Sequence, residues 1–222
     1  MKDWRLIYII FAKSEDKLYI SNKNRQAYFV LLSVCIIFVR INLKNCNVMF
    51  DKETYVQRRA LLKKNIGSGV LLFLGNDEQG LNYEDNAFRY RQDSTFLYYF
   101  GLSFAGLSAI IDIDEDKEII FGDELTIDHI VWMGTQPTLK EKSERVGIRE
   151  TLPSAAIISY LHKAVQKGQT VHYLPPYRPE HKLKLMDWLG IPPARQEGSV
   201  PFIRAVVAQR NYKSAEEIAE IE

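Results

Sequence analysis

Cysteine is nearly absent from this chain of 222 residues, with only Cys35 and Cys46 present. Two thiols cannot build a disulfide framework, and no Cys/His cluster has the spacing of a zinc site, so a reducing cytoplasm is the default setting. Charge of one sign is also missing. A formal net charge of +1, with acids and bases interleaved, offers no basic field of the kind nucleic acid requires. Long apolar runs are lacking as well. The longest, Ala27–Val39, holds 13 residues, whereas a membrane-crossing helix needs about 20. It resembles the core of a secretory signal, but 26 residues precede it and no A-x-A-like cleavage site follows. Three readings of residues 1–48 stand open: an extension foreign to the native fold, a membrane anchor, or a packed helix or strand.

Reaction-bearing motifs are missing too. The sequence contains no G-x-S-x-G elbow, no Walker loop and no dinucleotide fingerprint. Its four histidines, His129, His162, His172 and His181, fall in four separate predicted elements without an H-x-x-x-H pair. The acidic run Asp112–Glu118 has oxygen donors at alternate positions but fails as a calcium loop. Lys117 stands where the glycine is needed and Asp123 where a bidentate glutamate is needed. An acidic hairpin turn joining Ala109–Ile113 to Glu118–Phe121 is the expectation there.

What is present begins at Met49. Lys52–Lys64 has an amphipathic pattern, with Tyr55, Val56, Ala60, Leu61 and Leu62 as its expected apolar face. Gly67-Ser68-Gly69 ends that helix, and Val70–Gly75 follows as a buried strand. Tyr90–Gly101 (YRQDSTFLYYFG) opens with polar and charged residues and continues into aromatics, the pattern of a buried element with a charged lip. It is read as a strand, which places Tyr99 on the same face as Leu97. His129–Gly134 is expected as another short strand and Thr138–Val146 as an exposed helix capped by Gly147. Helices over Ser154–Lys167 and Glu180–Leu189 flank a strand at Thr170–Leu174. Helical spacing resumes over Ser199–Tyr212, and Ser214 with Glu217 three places on forms a capping box opening one more helix. No internal repeat or low-complexity tract appears. The fold class is therefore α/β, a mixed β-sheet flanked by helices. The domain reading is an extension over 1–48, a domain over 49–198, and a linker helix with the start of a further domain over 199–222.

Four pieces of this sequence, in order, resemble the N-terminal domain of Xaa-Pro aminopeptidases, the aminopeptidase P branch of the creatinase/prolidase superfamily. They are Tyr55-x-x-Arg58-Arg59, the Tyr90–Gly101 signature, Trp132-Met133-Gly134, and Arg210-x-x-Lys213-Ser214-x-x-Glu217-Ile218. The resemblance implies the creatinase/aminopeptidase P N-terminal fold. It implies as partners a pita-bread catalytic domain, further copies of the chain in a homo-oligomer, and a proline-containing peptide. In the family that catalytic domain holds two manganese ions, and its motifs follow the linker helix. Here nothing follows, so the chain reads as noncatalytic, truncated at Glu222, and serving assembly and substrate-pocket shaping. By the same resemblance Arg89, Arg91, Asp93, Leu97 and Tyr99 are the candidate pocket or interface residues, with a buried ion-pair network as the alternative for Arg89, Arg91 and Asp93. Bacterial members carry tryptophan where this chain has Leu97, which removes a flat stacking surface. A free-standing protein-interaction module on the same fold is the alternative function.

Overall fold

The computed structural model describes residues 49–221 apart from 84–85, 128–129 and 132–133. The apolar run Ala27–Val39, both cysteines, His129 and Trp132 lie outside the described residues. In chain order the named elements are α1 (Lys52–Ile66), β1 (Val70–Leu74), α2 (Ser94–Phe100), β2 (Ser108–Asp112), β3 (Lys117–Phe121), α3 (Leu139–Glu144), β4 (Glu150–Leu152), α4 (Ala156–Gln166), β5 (Val171–Tyr173), α5 (Pro179–Leu189), α6 (Val200–Arg210) and α7 (Ala215–Ile221).

The strands form one mixed sheet in the order β4-β3-β2-β1-β5. β1, β2 and β3 pair antiparallel, while β5 and β4 join the two edges in parallel. Side chains on a strand alternate between faces, and β1 shows the consequence. Leu71 and Phe73 join Ala109, Ile111 and Ile120 under α1, α2 and α6. Val70 and Leu72 join Ile110, Ile119 and Phe121 under α4 and α5. A sheet covered on both faces explains why its central strands read as unbroken apolar runs. The expected hairpin is present, with Asp116 at its tip in the left-handed region (φ 49°).

Three local expectations fail. The signature segment is a helix at its core, not a strand. Asp93 Oδ1 accepts the Thr95 and Phe96 backbone N–H groups at 2.9 and 2.8 Å, capping α2 at its N-terminus. Gly101 closes the helix in the left-handed region (φ 63°), donating its N–H to the Leu97 carbonyl. Aromatic content argued for a strand, but the two caps decide for about two helical turns. The strand expected at His129–Gly134 is also helical where it is described, with Ile130 N–H on the Thr126 carbonyl and Gly134 N–H on that of Ile130. Ile127 and Val131 are 80% and 75% exposed, so their hydrophobicity does not report a buried strand. On α1 the buried stripe is Tyr55, Arg58, Arg59 and Leu62, whereas Val56 and Leu61 face solvent. β4 was hidden in the sequence because three residues are too few for a period to register.

Candidate functional site

A groove of about 440 Å³ opens where the N-terminal half of α1, the approach to α2 and the α6–α7 junction meet. Arg58, Leu97, Tyr98, Arg210, Lys213 and Glu217 stand in its walls. Three of the four sequence pieces that looked alike to one family thus converge on one concavity, although they lie up to 162 positions apart (from Tyr55 to Glu217).

Arg58 is the groove's central charge. It is 6% exposed, and its Nη1 donates to the Tyr98 carbonyl at 3.0 Å. Its guanidinium lies 4.0 Å from the Tyr98 ring centre and 4.7 Å from that of Phe50, the distances of cation–π contact. Nη2 has no hydrogen-bond acceptor; the nearest carboxylate oxygen, Glu217 Oε2, is 3.8 Å away. Glu217 is engaged elsewhere, since the same oxygen accepts the Ser214 backbone N–H at 3.0 Å as half of the capping box of α7. Arg210 flanks the other side of Tyr98, 5.6 Å from its ring centre, and donates to Thr95 Oγ1 at 2.9 Å. Burial raises the Tyr98 phenol above its ordinary pKa, against the pull of the Arg58 and Arg210 cations.

Gln209 fixes this arrangement. Its Nε2 donates to the Arg58 carbonyl at 2.9 Å, and its Oε1 accepts from the Tyr99 hydroxyl at 3.1 Å. One amide thereby ties α6 to α1 and α2.

The five residues proposed from sequence scatter. Arg89 and Arg91 are exposed, and Arg91 stands at the groove rim while Asp93 is the cap of α2. These three form no buried network. Leu97 is half-buried in the groove wall. Tyr99 is fully buried against Phe73, its ring centres 5.4 Å apart, and burial holds its phenol well above the ordinary range. Residues two apart on a helix point about 200° apart, so it is Tyr98, not Tyr99, that shares the groove with Leu97. Arg58, Tyr98 and Arg210 received no role from sequence. The signal for two of them was available, because both arginines belong to the family-like pieces, but a cation's burial cannot be read from its type.

A smaller cavity of about 150 Å³ lies at the ends of β1 and β5, bordered by Asp93, Tyr177 and His181. His181 is buried with Nε2 3.1 Å from the Gly75 carbonyl, and burial lowers its pKa. His172 Nδ1 is 2.6 Å from Ser199 Oγ. Among the described residues no group of three His, Cys, Asp or Glu side chains could hold a metal ion. The manganese pair that the family resemblance implies does not fit these residues. No helix among the described residues is long and apolar enough to cross a membrane.

A family profile described as "Aminopeptidase P, N-terminal domain" matches residues 55–173, more than half of the chain. A probable Xaa-Pro aminopeptidase of Chaetomium globosum is 29% identical over 112 residues, covering 49% of this chain and 18% of that protein. The human Xaa-Pro dipeptidase is 33% identical over 76 residues, covering 33% of this chain and 15% of that protein. Among solved structures, the Pseudomonas aeruginosa aminopeptidase PepP superposes with a TM-score of 0.64 at 22% identity, over 78% of this chain and 41% of that one. Escherichia coli aminopeptidase P in its low-pH form gives 0.61 at 21% identity, over 77% and 41%. At these identities the structures show the shared fold. The chain spans about two-fifths of the solved relatives it matches, and less than a fifth of the two curated proteins named.

Proposed function

The chain belongs to the aminopeptidase P N-terminal domain family, and we propose that it is the noncatalytic partner of a metal-dependent Xaa-Pro aminopeptidase domain, shaping a peptide pocket and assisting assembly. The single observation that carries this reading is the convergence of three family-like pieces on the groove around Arg58 and Tyr98. Four helices supply wall residues, and Gln209 ties three of them, α1, α2 and α6, together, so the groove is preorganised rather than made by one loop. Leu97 and Arg91 border the substrate or partner, Asp93 holds the helix that presents Leu97, and Tyr99 anchors that helix in the core. Residues 49–198 form the body of the domain in this reading, and residues 199–222 lead toward the domain that carries the two manganese ions.

The test is hydrolysis of an Xaa-Pro peptide with added manganese, on purified chain shown by circular dichroism to be folded. No turnover is expected from the chain alone. Turnover abolished by a chelator would overturn the noncatalytic reading. Light scattering addresses the second part: dimers or larger species are expected at high concentration, and a strict monomer would remove the assembly role.

A further inference from the structure

The groove holds a buried cation, Arg58, whose ion pair with Glu217 at 3.8 Å is too long for a hydrogen bond. Arg58 is more than nine-tenths buried, yet Nη2 has no acceptor. A buried donor without a hydrogen-bond partner is destabilising, more so when it is charged. Glu217 pairs with it at 3.8 Å, too far for a hydrogen bond, while the same oxygen serves the backbone of α7. The surroundings lean the same way. Arg58, Arg91, Arg210 and Lys213 face only Glu217 and Glu220 in the groove walls, an excess of two positive charges (four minus two) in a chain whose whole net charge is +1. Apolar surface from Phe50, Leu97 and Ile221 adjoins these charges. The wall nearest to Nη2 is also the least anchored, because α7 contributes no buried residue.

We infer that the groove is a carboxylate-binding site for an extended peptide, in which Arg58 Nη2 takes a peptide carboxylate and an adjoining apolar side chain lies against Leu97 and Phe50. The inference rests on the pocket reading above and names the ligand chemistry. The ligand carboxylate enters beside Glu217 and competes with it for Arg58. Arg210 and Lys213 supply the remaining positive field at the rim. The carboxylate can come from an acidic side chain or from a chain terminus, and both present the same two oxygens to a guanidinium.

Fluorescence anisotropy on the full 222-residue chain tests this with three probes labelled at the N-terminus with the uncharged, carboxylate-free nitrobenzoxadiazole dye: the C-terminally amidated pentapeptides Ala-Leu-Glu-Leu-Ala and Ala-Leu-Gln-Leu-Ala, and Ala-Leu-Gln-Leu-Ala with a free terminus. At least one carboxylate probe is expected to bind tenfold or more tightly than the neutral one, and whichever does so identifies the source. Glu217→Gln keeps a side chain able to complete the capping box but removes the competing charge, so it is expected to tighten carboxylate binding several-fold. A residue that merely shapes the wall would not do this. Arg58→Gln is expected to abolish the discrimination. Should that variant fail to fold, Glu217→Gln decides alone. Equal binding of charged and neutral probes, or unchanged or weaker carboxylate binding by Glu217→Gln, overturns the carboxylate seat and leaves the pocket reading standing. No saturable binding of any probe overturns the seat too, while the pocket reading is judged by the turnover and assembly measurements.

Discussion

Arg59 and Arg58 occupy successive positions on α1, and they enter two differently finished regions. Arg59 is fully buried, with each guanidinium nitrogen paired: Nε with Glu118 at 2.7 Å, Nη1 with the Tyr99 carbonyl at 2.9 Å, Nη2 with the Val146 carbonyl at 2.9 Å. Those oxygens belong to β3, α2 and the segment after α3, so one side chain joins three parts of the fold to α1. Burial lowers its pKa, and the Glu118 carboxylate opposes that shift. Arg58 instead lies between rings, with Nη2 sealed from solvent, hydrogen-bonded to no acceptor and paired with Glu217 only at 3.8 Å. A finished polar network specifies a fold, and an unfinished one at a groove marks where something else can bind.

The largest expected effect separates the two arginines by stability. Arg59→Ala leaves two buried carbonyls without their donor and Glu118 with Lys63 alone, and losing one partner of a buried pair costs about 3 to 5 kcal/mol. Arg58→Ala loses one hydrogen bond, its ring contacts and the long pair with Glu217 but also removes an unsatisfied nitrogen, so about 1 to 2 kcal/mol is expected. Urea melts of both variants check this. Equal losses would break the contrast between a structural node and a groove held open.

A pH measurement sharpens the same contrast through the tyrosines on α2. Tyr99 is sealed in the core, and burial raises its phenol strongly; Tyr98 is raised as well, but Arg58 and Arg210 counteract part of the shift. A raised folded pKa means that the native state keeps a proton which the unfolded chain releases. Stability from each group is therefore complete below the unfolded pKa of about 10 and falls as pH rises above it, by at most about 1.4 kcal/mol per pH unit and group. Melts between pH 9 and 11.5 should show a steeper loss in wild type than in Tyr99→Phe. Tyr98→Phe should flatten the slope less.

How much of this was legible beforehand follows from what each signal measures. Val70–Leu74 and the hairpin were readable because unbroken apolar runs around an acidic turn have few alternative uses. The helix Ser214 opens was readable because a capping box is a local chemical signal. The α2 region misled because composition outweighed capping: Asp93-Ser94-Thr95 and Gly101 frame a helix, yet the rings between them are those of strands. The groove could not be read at all from spacing. Its walls meet through tertiary contacts that no periodicity encodes, the Gln209 bridge from α6 to α1 and α2 and the Arg210–Thr95 bond among them. Likewise the pattern at Tyr55, Arg58, Arg59 and Leu62 has helical spacing, but arginine at two of the four positions conceals a buried face.

The smallest expected effect concerns Asp93, which serves both regions at once. Its carboxylate holds the first turn of α2, the helix that sends Tyr99 to the node and Leu97 and Tyr98 to the groove. Removing an N-cap side chain costs typically about 1 kcal/mol, so Asp93→Ala should lower stability by that amount, and Asp93→Asn, which retains a capping oxygen, by clearly less. The two regions should nevertheless respond unequally. Tyr99 is held by packing against Phe73 and by Gln209, so the node survives a frayed first turn. Leu97 lies one turn from the cap and half-exposed, so the groove wall loosens first. Amide hydrogen exchange in Asp93→Ala should therefore accelerate at Thr95–Leu97 before Tyr99–Phe100; uniform acceleration along α2 would show that the node and the groove share one cooperative unit.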